Sequence, residues 1–146
     1  MDQQEIFALI VYLIGGDQDK AYDICVDSFA RAIATGARDE PEGAFRARLA
    51  GIAVEKSRPV QAIPSFDVLD AIDISSQEKN LFRIVLEALQ QLDFNAKALV
   101  LLRDQLNFSY KDIAVIMSVA QSEVKRSTEQ ARNLLRSEIE KVLNRS

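Results

Sequence analysis

Apolar residues recur at spacings of three and four along most of this 146-residue chain, and no segment sustains a strict alternation of apolar with polar. A face that repeats every 3.6 residues is buried by a helix and cannot be buried by a strand. Ala21, Ile24, Cys25, Phe29, Ala32 and Ile33 form one such stripe, and Ala44, Phe45, Leu49, Ile52 and Ala53 form another. Five glycines and three prolines are too few breakers for a many-turned β fold. The chain reads as all-α.

The breakers then divide it. Glu5 to Ile14 is almost wholly apolar and stops at Gly15-Gly16. Asp17 starts a second helix that runs to about Ala34 and is closed by Gly36. Asp39-Glu40-Pro41-Glu42 opens a third, with acids in the first turn and a proline where no N–H is needed. That helix runs out before Arg58-Pro59. Residues 59–75 break the pattern and carry Asp67, Asp70 and Asp73, so they read as an acidic linker. Ser75 and Glu78 have the spacing of a capping box for a helix reaching about Gln91. Leu92 to Asn95 is a break, and Ala96 to Leu106 is the next helix. Ser109, with Asp112 three residues on, starts a short helix over Tyr110 to Met117. Ser118 to Gln121 joins it to a last helix ending near Val142. The expected organisation is two small helical domains, 1–58 and 76–146, joined by the linker.

Composition excludes several chemistries. The chain has no histidine, which removes imidazole metal sites, Ser-His-Asp triads and Cys-His pairs. The single Cys25 has no base to activate it, forms no intrachain disulfide, and reads as a small buried side chain. Asp67, Asp70 and Asp73 lack the alternate ligands and the glycine of a calcium loop. Asp17 and Asp19 read as helix-start residues. No enzyme, metal or cofactor is therefore expected. The apolar stretch from Ile6 to Ile14 is too short to span a membrane, and the residues before it are acidic where a secretory signal is basic. A cytoplasmic protein with no membrane partner is expected. Eighteen Lys/Arg against 22 Asp/Glu give a net charge of −4, so this is no general nucleic-acid glue. The balance is uneven: residues 85–146 carry nine basic and eight acidic side chains, and the rest carry nine and 14.

Two short amphipathic helices with a short joint, the second starting polar and basic, make a helix-turn-helix pattern. Ile113, Ala114 and Val119 are expected to fix the angle between them, with Val124 plugging the second helix onto the core. Gln121, Ser122, Glu123, Lys125, Arg126 and Ser127 then project toward a major groove, and Arg132 and Arg136 toward phosphates. The same pattern also occurs in ordinary helix bundles.

These residues carry a resemblance. Leu89-Gln-Gln-Leu92, Ala98-Leu-Val-Leu-Leu-Arg103, Phe108-Ser-Tyr-Lys-Asp-Ile-Ala114, Val124-Lys125 and Ala131-Arg132-Asn-Leu-Leu-Arg136 resemble the fourth region of bacterial sigma factors of the extracytoplasmic-function group. Ala21-Tyr-Asp-Ile-Cys-Val-Asp-Ser-Phe-Ala-Arg-Ala32, and Phe45-Arg-Ala-Arg-Leu-Ala-Gly-Ile-Ala53 followed by Arg58, resemble the second region. The resemblance implies a transcription initiation factor whose partners are core RNA polymerase and promoter DNA. Gln121, Ser122, Glu123, Lys125, Arg126 and Arg132 would read the −35 element. Arg46, Arg48, Lys56 and Arg58 would serve the −10 strand, although they also read as a solvated helix face. Asp23, Asp27 and Phe29 would meet polymerase, with Phe29 also readable as core.

The chain departs from the family pattern in ways that bear on mechanism. Tyr22 stands where a Glu is usual, Val26 where a Gln is, Arg48 where an aromatic is and Glu55 where an Asn is. Ala120 takes the place of a capping Ser, and Glu123 that of a Thr or Ser. A second reading follows: a sigma-like decoy that binds an anti-sigma factor and no DNA.

Overall fold

The computed structural model describes residues 3–36, 39–60 and 74–145. Among them are seven α-helices and no strand, as the periodicity requires. They are α1 (Gln3–Ile14), α2 (Gln18–Thr35), α3 (Glu42–Ser57), α4 (Ser76–Leu89), α5 (Phe94–Val100), α6 (Tyr110–Met117) and α7 (Gln121–Arg145). The expected linker falls mostly at 61–73, and its Asp67, Asp70 and Asp73 lie outside the described residues. No described helix is long and apolar enough to cross a membrane.

Local chemistry sets most of the boundaries. Gly15 and Gly16 take φ of 93° and 101°, and both donate their N–H to Val11 O, at 3.0 and 2.8 Å. Only glycine adopts that backbone without strain, so α1 stops there. The Asp17 carboxylate accepts the Lys20 N–H at 3.1 Å and starts α2. Ser75 accepts the Glu78 N–H at 3.1 Å, and its hydroxyl also lies 3.3 Å from the Glu78 carboxylate. Asp93 accepts the Ala96 N–H at 2.8 Å, so α5 begins at Phe94, two residues earlier than periodicity suggests. The helix then widens into a π turn over Leu101–Gln105, where the Leu106 N–H reaches Leu101 O at 3.1 Å. A π turn carries no apolar signature that a sequence would show.

Helices α1, α2 and α3 pack on one another, and α7 packs against α4, α5 and α6. These two units are not separate. Helix α3 lies on α6, and α1 reaches α5 and the π turn. A single apolar cluster runs from Leu9 and Leu13 through Leu49 and Val54 to Leu89, Leu102, Phe108, Ile113 and Val124.

Lys97 sits inside that junction at 3% exposure. Its ammonium donates to Leu13 O at 2.7 Å and to Gln90 Oε1 at 2.9 Å. Gln90 in turn donates through Nε2 to Tyr12 O at 2.9 Å. The last carbonyls of a helix have no partner within it. Here α1 has its terminal carbonyls capped by side chains of the other unit. Both acceptors of Lys97 are neutral, and burial lowers its pKa from 10.5 to about 8.

The sign of the resulting pH dependence is fixed. The unfolded chain holds the Lys97 proton more tightly than the folded one, so stability rises as pH climbs from about 8 toward 10.5. The slope from this group approaches about 1.4 kcal/mol per pH unit. Cys25 opposes it at the alkaline end, because burial raises its thiol pKa above 9.0. Urea unfolding of the parent and of Lys97→Met between pH 7.5 and 9.5 separates the two. The parent should gain stability relative to the variant across that window, and parallel curves would refute the buried-lysine account.

Candidate nucleic-acid interface

The helix-turn-helix is built from three local devices. Ser109 accepts the Asp112 N–H at 3.1 Å and starts α6. Ser118 takes the left-handed conformation, φ 55° and ψ 46°, and donates its N–H to the Ala114 and Val115 carbonyls, which ends α6. The Val119 N–H then reaches Ala114 O at 3.0 Å, and Ala120 O accepts the Glu123 N–H at 3.0 Å, leading into α7. Ile113, Ala114 and Val124 are buried between the helices, as the sequence suggests. Val119 is not. It is 46% exposed, because the joint uses its N–H and not its side chain. Ile116 and Phe108, both buried, fill that role.

Gln121, Ser122, Glu123, Lys125 and Arg126 are all exposed on the first turns of α7. The Glu123 carboxylate pairs with the Arg126 guanidinium one turn on. That pairing offsets the negative charge that Glu123 brings to the face. Arg132 is half-buried and lies at the edge, where its guanidinium grips Asp104 of the π turn through two bonds, one of 2.8 Å from Nε. Arg103 supports the same corner, donating to Phe108 O at 2.9 Å with its guanidinium 4.7 Å from the Tyr110 ring.

The four cations of α3 and its C-cap do not form one strip. Arg46 crosses to the other unit, donates to Leu106 O and sits over the Phe108 ring, 4.1 Å from its centroid. Arg58 crosses too, donating to Asn95 Oδ1 at 2.8 Å with its guanidinium 4.7 Å from the Phe94 ring. Arg48 stays within its own unit, paired with Glu40 and donating to Ala32 O. It passes so close to Gly36 that a Cβ there would collide with it. Lys56 lines a groove of about 930 Å³ between α3 and α6, together with Arg31, Ile52, Glu55, Asp112 and Val115. None of these pairings is visible in the spacing of the four residues.

On α2, Asp23 and Asp27 are exposed and Phe29 is half-buried. Tyr22, Val26 and Ile33 form an outward apolar stripe, 63%, 49% and 69% exposed, and Phe29 lies in line with it while packing against the core. The spacing 22, 26, 29, 33 is a helical repeat in its own right. The sequence signal is therefore present, but it is masked by the inner stripe of the same helix, Ala21, Cys25 and Ala32.

The joint leaves one weakness. Ala120 offers no side-chain oxygen to the first N–H groups of α7. Replacing Ala120 by Ser should stabilise the protein by about 1 kcal/mol. The expected outcome is a higher urea midpoint with an unchanged slope. A midpoint that stays put would mean that those N–H groups are already satisfied.

Comparison with known proteins follows this geometry. Residues 82–135, from within α4 to the middle of α7, match the family model described as sigma-70, region 4. The chain as a whole is similar in structure to the sigma factor RpoE of Bartonella quintana, solved in complex with the anti-sigma factor NepR. The two are 23% identical, the match covers 94% of this chain and 91% of that one, and the TM-score is 0.68. No curated protein matches the sequence. Residues 82–135 are thus similar to sigma-70 region 4, and the chain as a whole shares the fold of that sigma factor.

Proposed function

We propose that this chain is a transcription initiation factor of the sigma type, which binds core RNA polymerase and recognises promoter DNA through α7. The observation that carries the reading is the exposed start of α7, set in a helix-turn-helix that lies within the region 4 match. Gln121, Ser122, Lys125 and Arg126 reach base edges of the −35 element, with Glu123 holding Arg126 in place. Arg132 meets a phosphate at the end of that face. The stripe of Tyr22, Val26, Phe29 and Ile33, flanked by Asp23 and Asp27, is the polymerase-docking face: exposed aromatics and aliphatics beside charge are the make-up of a protein interface. Arg46, Arg48, Lys56 and Arg58 serve the melted −10 strand once Arg46 and Arg58 leave their partners in the other unit and Arg48 leaves Glu40. The proposed work is binding and not catalysis, and its place is the cytoplasm, with the polymerase.

A second reading has its own support. Arg46 and Arg58 are engaged across the units, and the similar sigma factor was solved with an anti-sigma factor on it. A chain held in this state would bind an anti-sigma partner and leave DNA alone.

Pull-down and transcription from a promoter with purified core polymerase at low salt separate the two. The first reading expects polymerase binding and a specific transcript. It also expects duplex affinity to fall steeply with salt, and Lys125→Ala to weaken binding to the promoter sequence more than to an unrelated duplex. A folded chain that neither binds polymerase nor supports a transcript would overturn it in favour of the anti-sigma reading.

A further inference from the structure

Glu123 is the residue at the start of α7 least suited to nucleic acid. A lone carboxylate in a major groove meets phosphates along both walls and acceptors on most base edges. Here it is not alone. Glu123 and Arg126 lie away from the buried Val124, Thr128 and Ala131, with side chains 52% and 70% exposed. Arg126 Nη2 donates to Glu123 Oε2. The couple is neutral as a whole, so the phosphates do not repel it as they would a bare acid. Its bond occupies one oxygen and one nitrogen. Glu123 Oε1 and Arg126 Nη1 and Nε bond to no other described residue.

The atoms left over form a pattern: one acceptor, then donors, set side by side at the spacing of a hydrogen bond. Across the major groove a C·G pair shows the cytosine N4 donor, then the guanine O6 and N7 acceptors. N4 and O6 are themselves hydrogen-bonded, so they share that spacing. Acceptor meets donor, and donors meet acceptors. No other pair fits. Turned round, the same pair sets guanine N7 against the carboxylate. An A·T pair sets adenine N7 there, and T·A sets the thymine methyl and O4.

We infer that Glu123 and Arg126 read one C·G base pair as a unit, Glu123 taking the cytosine amino group and Arg126 the guanine O6 and N7. The inference rests on the duplex-reading role proposed above for α7. It adds a base preference at one position and a reason for an acid on that face. Arg126 alone would take a guanine on either strand within reach, and Glu123 fixes which strand carries it.

The test starts from a pool of duplexes randomised over one helical turn, enriched at low salt with the full chain, alone and with core RNA polymerase. The parent should enrich sites with one invariant C·G pair in a fixed orientation. Glu123→Ala and Arg126→Ala should each lose preference at that same pair, and the double variant should lose less than the sum of the two. Two modified bases in the enriched site then examine each half with the parent protein unaltered, so a variant that misfolds does not blunt the test. N4-methylcytosine puts a methyl where the groove-facing N4–H was, and 7-deazaguanine removes N7. Each should cost the parent about fivefold in affinity or more. The first should cost Glu123→Ala little, and the second should cost Arg126→Ala little. An enriched site with no invariant C·G pair, or a parent indifferent to either modified base, would overturn the inference and leave the duplex reading of α7 standing. A pool that enriches nothing, alone or with polymerase, would sink the duplex reading and this inference with it.

Discussion

The end of α1 decides how the rest of the molecule is arranged. A helix this apolar must be buried, and its terminal carbonyls must then be satisfied inside the protein. Val11 O is taken by the two glycine N–H groups that follow. Tyr12 O and Leu13 O are taken by Gln90 and Lys97, which come from the other unit. That choice forces α5 against α1, and the shared core follows. It also explains a lysine at 3% exposure: its four-carbon stem fills the junction, and its ammonium supplies a donor where an apolar side chain would leave a carbonyl bare.

This arrangement divides the charged faces by accessibility. The start of α7 stands clear of the junction, so its exposed polar face is presented whatever the first unit does. Arg46 of α3 and Arg58 just past its end are drawn into the junction, where each gains a ring contact and a hydrogen bond across it. Contacts of that kind contribute on the order of 1–2 kcal/mol apiece.

Much of the fold was legible because the sequence carries its own boundary markers. Helix α6 spans the Tyr110 to Met117 expected from Ser109 alone, and the stop at Gly15-Gly16 follows from a backbone that only glycine adopts. The region 4 identity was legible too, since its motif residues are buried ones such as Leu89, Phe108, Ala114 and Val124, whose spacing is set by packing. What was hidden depends on approach from elsewhere in the chain. The exposure of Val119 follows from a left-handed Ser118, which no periodicity encodes. The fate of Arg46 follows from the position of Leu106, 60 residues away. A run of cations looks the same in sequence whether it faces solvent, a strand of DNA or another helix of the same protein.

The π turn shows how such hidden features reach the functional surface. One extra residue in a helical turn rotates everything after it by about 100°. In this chain the turn contains Arg103 and Asp104, and both are used at once: Arg103 holds the Phe108 carbonyl and the Tyr110 ring, and Asp104 holds Arg132. The first pair fixes where α6 begins, and the second fixes α7 nearly halfway along its length. The angle of the helix-turn-helix is thus braced from outside as well as through its own buried Ile113 and Val124. An ordinary α-helical turn at Leu101–Gln105 would swing Asp104 off Arg132 and leave α7 held only by its apolar face. The π turn therefore belongs to the machinery that presents Lys125 and Arg126, although it touches neither.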